Sequence, residues 1–95
     1  MAAPVFDNPL VKLNLTHSQL TIRVPEVRFS LREPICEIKL SLVSRFGTSV
    51  DFMELELQDQ EGKHVSYMND ELKPLGFYSP EEGYHIHVIL QFTPR

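Results

Sequence analysis

The chain has 95 residues, of which 42% are hydrophobic and 23% charged, and this composition predicts one globular domain. A single cysteine, Cys36, excludes both a disulfide framework and a CxxC metal or redox motif. No apolar run approaches the roughly 20 residues that span a bilayer, and the first residues lack the pattern of a secretory signal. We therefore expect a cytoplasmic protein without membrane contact.

The charge is unevenly distributed along a chain whose formal net charge is −4. Residues 1–47 carry six Lys or Arg and four Asp or Glu, whereas residues 48–95 carry three and nine. Nucleic acid is not an expected partner, because its recognition needs a basic patch. The acidic half is either a solvated face or a surface that docks onto a basic partner.

The N-terminal third predicts a hairpin after a flexible leader. Residues 1–9 contain two prolines and no periodic pattern. Residues 10–15 and 20–29 alternate between apolar and polar side chains, with the polar residues 16–19 as a link. Pro25 interrupts the second run, which predicts that this strand lies at a sheet edge or contains a bulge.

The period then changes to that of a helix. Pro34 suits a first helical turn and Gly47 suits a C-cap. Lys39 falls inside the apolar arc of this helix, so its amine either reaches the rim of the core or forms a partly buried ion pair with a carboxylate from the acidic half. The apolar positions at helical spacing are Ile35, Ile38, Leu42 and Phe46.

Strand patterns return in the second half. Residues 53–57 alternate, with Glu54 and Glu56 facing away from the apolar side. A shorter strand is predicted at residues 64–68, and a last strand at residues 84–92. The loop at 69–82 is expected to be anchored by Leu72, Leu75 and Phe77, with Gly76 in a left-handed turn.

This order of elements predicts an α+β domain, with a mixed sheet of four to five strands and one main helix packed on one face. The last strand would bury Ile86, Val88 and Leu90 against the helix. His85, His87 and Ile89 would then lie on the outer face, with the two histidines exposed.

No pattern in the sequence predicts catalysis or a bound cofactor. His17 and His64 do not have a spacing that would add metal ligands to His85 and His87. There is no glycine-rich phosphate loop and no nucleophile elbow. We therefore expect neither a metal nor enzymatic activity.

Three segments carry a family resemblance. The helix run IxxIKxxL and the later LxxLGFYSPEEGYHIHV are similar to ubiquitin-like β-grasp domains. GTSVDFMELEL followed by LGFYSPEEGYHIHVI resembles the N-terminal ubiquitin-like domain of the tubulin-folding cofactor B family. The resemblance implies a ubiquitin-like domain at residues 10–92, with residues 93–95 leading into a further domain.

The resemblance also implies a function in tubulin biogenesis. Members of that family act on α-tubulin and work with cofactor E in assembling or taking apart the tubulin heterodimer. The expected domain is monomeric, non-catalytic and cytoplasmic, with a possible cytoskeletal association. The resemblance also implies that Lys39 forms a structural ion pair. It further implies that the carboxylate of Glu54 or Glu56 replaces the apolar contact that ubiquitin offers its receptors.

Two partner-binding sites follow as hypotheses. The first is the outer face formed by Glu54, Glu56, His85, His87 and Ile89. The alternative is the edge of the second strand, where Arg23 and Arg28 would help to dock a small GTPase or another partner.

Overall fold

The computed structural model describes residues 9–91, so the predicted leader apart from Pro9, and residues 92–95, lie outside the described part. Its sheet has the order β2-β1-β5-β3-β4, with β1 parallel to β5 and the other neighbours antiparallel. The α+β class, the mixed sheet and the order of elements are thereby confirmed. The elements are β1 Leu10–His17, β2 Arg23–Ser30, α1 Ile35–Phe46, a 3-10 turn Val50–Phe52, β3 Met53–Gln58, β4 His64–Tyr67, a 3-10 turn Leu75–Tyr78 and β5 His85–Leu90.

The core lies between α1 and one face of the sheet. Alternate residues of the three central strands meet the apolar side of the helix, as the two-residue period requires. Burial of each large apolar side chain contributes about 1.5–3 kcal/mol of transfer free energy. The buried apolar residues of the strands are Val11, Leu13, Leu15, Phe29, Met53, Leu55, Leu57, Ile86 and Val88, and those of the helix are Ile35, Ile38 and Leu42.

Both ends of α1 are where the sequence predicts them. Pro34 is the N-cap residue in an extended conformation. Gly47 adopts a left-handed conformation with φ of 73°, and its N–H donates to the carbonyl of Val43 at 2.8 Å. Glycine adopts this φ without the steric cost that a Cβ would bring, so it ends the helix.

The predicted link between the first two strands is displaced along the chain. Thr16 and His17 belong to β1, because this strand continues to pair with β5 and Ser18 donates to the carbonyl of Val88 at 2.8 Å. β2 begins only at Arg23, which leaves Leu20 and Ile22 in the link, 38% and 50% exposed.

The sequence predicts that the second strand lies at a sheet edge or contains a bulge, and the structure shows both. Glu26 has a positive φ of 57°, and the pairing register between β1 and β2 shifts at this point. The side chain of Asn14 accepts the N–H of Glu26 at 3.1 Å and replaces the missing ladder bond.

The prediction for the loop at 69–82 is only partly right. Leu75 is fully buried, but Leu72 and Phe77 are 85% and 58% exposed. The loop is instead held by its backbone, since Gly76 donates to the carbonyl of Leu31 at 2.8 Å. A Cβ at Gly76 would lie 3.1 Å from that carbonyl oxygen, so the glycine permits a close approach, and the left-handed position is at Ser79, with φ of 55°.

Candidate partner-binding surface

The sheet face opposite α1 carries most of the residues that the sequence singled out. Strands β3 and β5 pair so that Glu54 lies opposite Ile89 and Glu56 lies opposite His87. All four of these residues are half-buried. We call this group, Glu54, Glu56, His87 and Ile89, the acidic surface.

Glu56 is held by two neighbouring side chains. Its Oε2 lies 2.6 Å from Nδ1 of His64, and its Oε1 accepts a hydrogen bond from Nε2 of Gln58 at 2.9 Å. The side chain is only 12% exposed, so it is more enclosed than a residue on a freely solvated face would be. The sequence reasoning missed His64, although the turn between residues 56 and 64 was a signal that a hairpin could bring the two side chains together.

Glu54 and His87 are also fixed by hydrogen bonds. Oε1 of Glu54 accepts from Nε2 of Gln91 at 2.9 Å. Nδ1 of His87 lies 2.7 Å from the hydroxyl oxygen of Thr16, which is its register partner on β1. The acidic surface therefore presents a carboxylate and an imidazole in fixed positions.

The prediction that His85 is an exposed partner of His87 is wrong. His85 is on the outer face of β5 but only 4% exposed, and its Nε2 lies 3.4 Å from the carbonyl oxygen of Gln60. The turn at residues 59–63 covers His85. Nε2 of Gln60 donates to the carbonyl of Glu82 at 3.1 Å, and this hydrogen bond holds the turn in place. Asp59 stabilises this turn by accepting two backbone N–H groups, and these hydrogen bonds lower the pKa of its carboxyl.

His17 lies on the helix side of the sheet. The residue is 6% exposed, and its Nδ1 accepts the N–H of Gln19 at 3.0 Å. The other nitrogen, Nε2, therefore carries the proton and donates to the hydroxyl of Thr48 at 2.8 Å. Burial, and secondarily the charge of His87, lowers the pKa of His17 below its ordinary value of 6.5.

Lys39 is buried and paired. Its Nζ lies 2.6 Å from Oε2 of Glu71, and the two side chains are 7% and 44% exposed. Of the two alternatives for this lysine, the structure has the ion pair with a carboxylate from the acidic half. Its role is structural, because it ties α1 to the loop.

The alternative site lies at the opposite end of the same sheet face. Arg28 lies opposite Lys12, and Arg23 lies opposite Thr16, on strands β2 and β1. Lys12, Arg23 and Arg28 are exposed, and within residues 9–91 none of them forms an ion pair. We call these three residues the basic edge.

Within residues 9–91, no three His, Cys, Asp or Glu side chains are arranged to hold a metal ion. The same residues enclose no ligand-sized pocket. No helix in this part of the chain is long and apolar enough to cross a membrane.

Comparison with known proteins places the chain in a family. The model of the family described as ubiquitin-like domain matches residues 10–93. The chain belongs to the ubiquitin-like domain family. This confirms the β-grasp fold expected from the sequence resemblance.

Several relatives of this ubiquitin-like domain are tubulin-folding cofactors B. A structure of the cofactor from Trypanosoma brucei has 35% identity and a TM-score of 0.82, with 92% of this chain and 100% of that chain covered. The cofactor B of Arabidopsis thaliana is 39% identical over 79 residues, and the chaperone B of Dictyostelium discoideum is 34% identical over 85. The resemblance to the cofactor B family is thereby confirmed.

The ubiquitin-like domain spans about a third of its curated relatives. The matches cover 83% of this chain but 32% of the Arabidopsis and Dictyostelium proteins. A solved ubiquitin-like domain of mouse tubulin-specific chaperone e shares the fold at 18% identity, with a TM-score of 0.80.

Proposed function

We propose that this ubiquitin-like domain is a non-catalytic protein-interaction module that acts in tubulin folding as part of a cofactor B-type protein. The observation that supports it most is the similarity to the Trypanosoma cofactor B structure, which extends over nearly the whole described domain at 35% identity. Two cofactors B from other organisms, at 34% and 39% identity, support the same role.

The proposed partners are α-tubulin and cofactor E. In this account the domain is cytoplasmic and takes part in assembling or dissociating the tubulin heterodimer by binding, with no covalent step. The acidic C-terminal half, with nine Asp or Glu against three Lys or Arg, favours partner surfaces that carry basic groups.

The acidic surface is the proposed contact. Its carboxylates are already oriented by Gln58, His64 and Gln91, so less side-chain freedom is lost when a partner binds. Ile89 lies beside Glu54 and offers apolar area between the charges. Charge would select the partner, and the isoleucine would add buried contact.

The test is a tubulin-binding titration with two matched variants. E54Q/E56Q neutralises the acidic surface, whereas E37Q/E61Q removes the same charge from α1 and from the turn after β3, where both side chains are exposed. We expect the first variant to bind tubulin about tenfold more weakly, since loss of two oriented charges costs about 1.4 kcal/mol or more. The second variant should bind as the wild type does.

Two results would contradict the proposed contact. Equal weakening by both variants would mean that net charge alone governs binding. Wild-type affinity in E54Q/E56Q, with binding otherwise intact, would place the contact elsewhere on the domain.

A further inference from the structure

Within residues 9–91, β2 is an edge strand, so some of its backbone groups point outward, away from the sheet. β2 is the first strand in the sheet order, with β1 as its one neighbour. Leu31 donates to the carbonyl of Pro9 at 2.9 Å, and hydrogen-bonded pairs recur at every second residue of an antiparallel ladder. Val27 and Phe29 therefore bond to β1, and the N–H and C=O of Arg28 point away from the sheet.

The opposite residue on β1 supports this assignment. The backbone N–H of Lys12 donates to Oε2 of Glu82 at 2.6 Å, and its carbonyl accepts from Gly83 at 3.0 Å. Both groups of Lys12 are thus directed towards the β5 side. In a pair that is not hydrogen-bonded, those of Arg28 are directed the other way.

The charge of this edge is basic, and within residues 9–91 its side chains form no ion pair, although Glu26 lies on the same strand and the Glu82 carboxylate bonds to the backbone of Lys12. The side chains of the basic edge, Lys12, Arg23 and Arg28, share the outer face of β1 and β2. The carboxylates that form ion pairs within residues 9–91 pair elsewhere, with Lys39, Lys63 and His64. A partner strand with carboxylates would complete the charge pattern.

The bulge limits what can pair here. The positive φ of Glu26 and its bond to Asn14 break the ladder, so that the regular part of the edge runs from residue 27 to 30. Antiparallel pairing with a second copy would bring Arg28 close to its own counterpart, and like charges disfavour this.

We infer that the β2 edge binds a short, extended acidic peptide segment of a partner protein by strand addition. The peptide backbone bonds to Arg28, and carboxylates at alternate positions share the outer face with Arg28 and its register partner Lys12. This surface is distinct from the acidic surface, so the inference can fail without affecting the proposed function.

The direct test is fluorescence anisotropy with a labelled octapeptide in which glutamate alternates with valine. The same peptide with lysine in place of glutamate should not bind. R28Q removes the charge alone and should weaken binding about tenfold or less. R28P also removes the outward N–H and should weaken it further, while R45Q, at an exposed position near the end of α1, should change nothing.

A second measurement does not depend on whether R28P folds: N-methylated peptides are titrated with the unmutated domain. Methylation of one alternate set of amides should abolish binding, and methylation of the other set should not, since only one set faces β2. Strand addition is overturned if both sets bind equally or if R28P binds as R28Q does. The charge assignment is overturned if R45Q weakens binding as much as R28Q. The whole inference is overturned if the glutamate peptide does not bind.

Discussion

His17 has a neutral ring because its surroundings accept only that form. Nδ1 already accepts the N–H of Gln19, so a second ring proton would break that hydrogen bond. The ring also lies 5.2 Å from that of Phe46, in a part of the fold where a charge would be poorly solvated. Protonation and folding therefore oppose each other at this residue.

The first prediction concerns the pH dependence of stability. Because the pKa of His17 lies below 6.5 in the folded domain, the unfolded chain binds more protons as the pH falls through 6.5. As far as His17 is concerned, the domain therefore has its full free energy of unfolding above pH 6.5 and loses part of it as the pH falls below 6.5. Urea unfolding should show that the free energy of unfolding falls more between pH 7.5 and pH 5.5 in the wild type than in H17Q.

A matched variant isolates the effect. H64Q changes a half-exposed histidine and should retain the acid sensitivity that His17 causes. If H17Q lost as much stability between the two pH values as the wild type, the neutral, buried ring would not be the cause.

Residue environments were predictable where they depended on periodicity alone. The faces of Glu54, Glu56 and His87 followed from alternation, and the structure places them on the predicted side. The burial of His85 did not follow, because it depends on a turn 25 residues earlier in the chain, around Gln60. A strand pattern gives the direction of a side chain but not what covers it.

At the scale of elements, α1 is linked to the loop that follows β4. The N–H groups of Ile35 and Cys36, which have no partner within the helix, donate to the carbonyls of Lys73 and Glu71 at 3.0 Å. The Lys39–Glu71 ion pair joins the same two segments. The loop therefore substitutes for the side-chain N-cap that Pro34 cannot provide.

The second prediction tests this link. E71Q should lower the free energy of unfolding by about 1–2 kcal/mol, less than for a fully buried pair because Glu71 is 44% exposed. K39M removes the buried charge, so K39M/E71Q should lose less than the sum of the single changes. Urea denaturation of the wild type, the two single variants and the double variant measures this double-mutant cycle.

The control is an exposed pair. Lys63 and Glu61 lie 3.7 Å apart and are both 76% exposed, so E61Q should change the free energy of unfolding by less than about 0.5 kcal/mol. Additive effects of K39M and E71Q would mean that the pair does not couple α1 to the loop.

Elements were predicted best where local chemistry defines their ends. The helix, from Pro34 to Gly47, has a period, a start and a stop in its own residues. The loop at 69–82 was predicted less well, because backbone bonds to residues 31 and 33 decide which side chain turns inward. Such bonds leave no mark on the local pattern of apolar residues.

At the scale of the molecule, one face of the sheet carries two charged regions of opposite sign. The basic edge belongs to β1 and β2, and the acidic surface belongs to β3 and β5. The carboxylates on β3 are separated from β1 by β5, whereas His87 on β5 is the direct register partner of Thr16 on β1. Pro25 predicted either an edge or a bulge for the second strand, but the sequence pattern did not predict which strands are neighbours in the sheet.

We propose above that the acidic surface of this ubiquitin-like domain contacts tubulin. The most direct measurement is an amide-resolved NMR titration of the labelled domain with purified tubulin. We expect shifts or line broadening concentrated at Glu54, Glu56, His87 and Ile89 and their strand neighbours, with the helix amides unchanged beyond the uniform broadening of a large complex. Unchanged spectra at high tubulin concentration, or changes centred on α1, would contradict it.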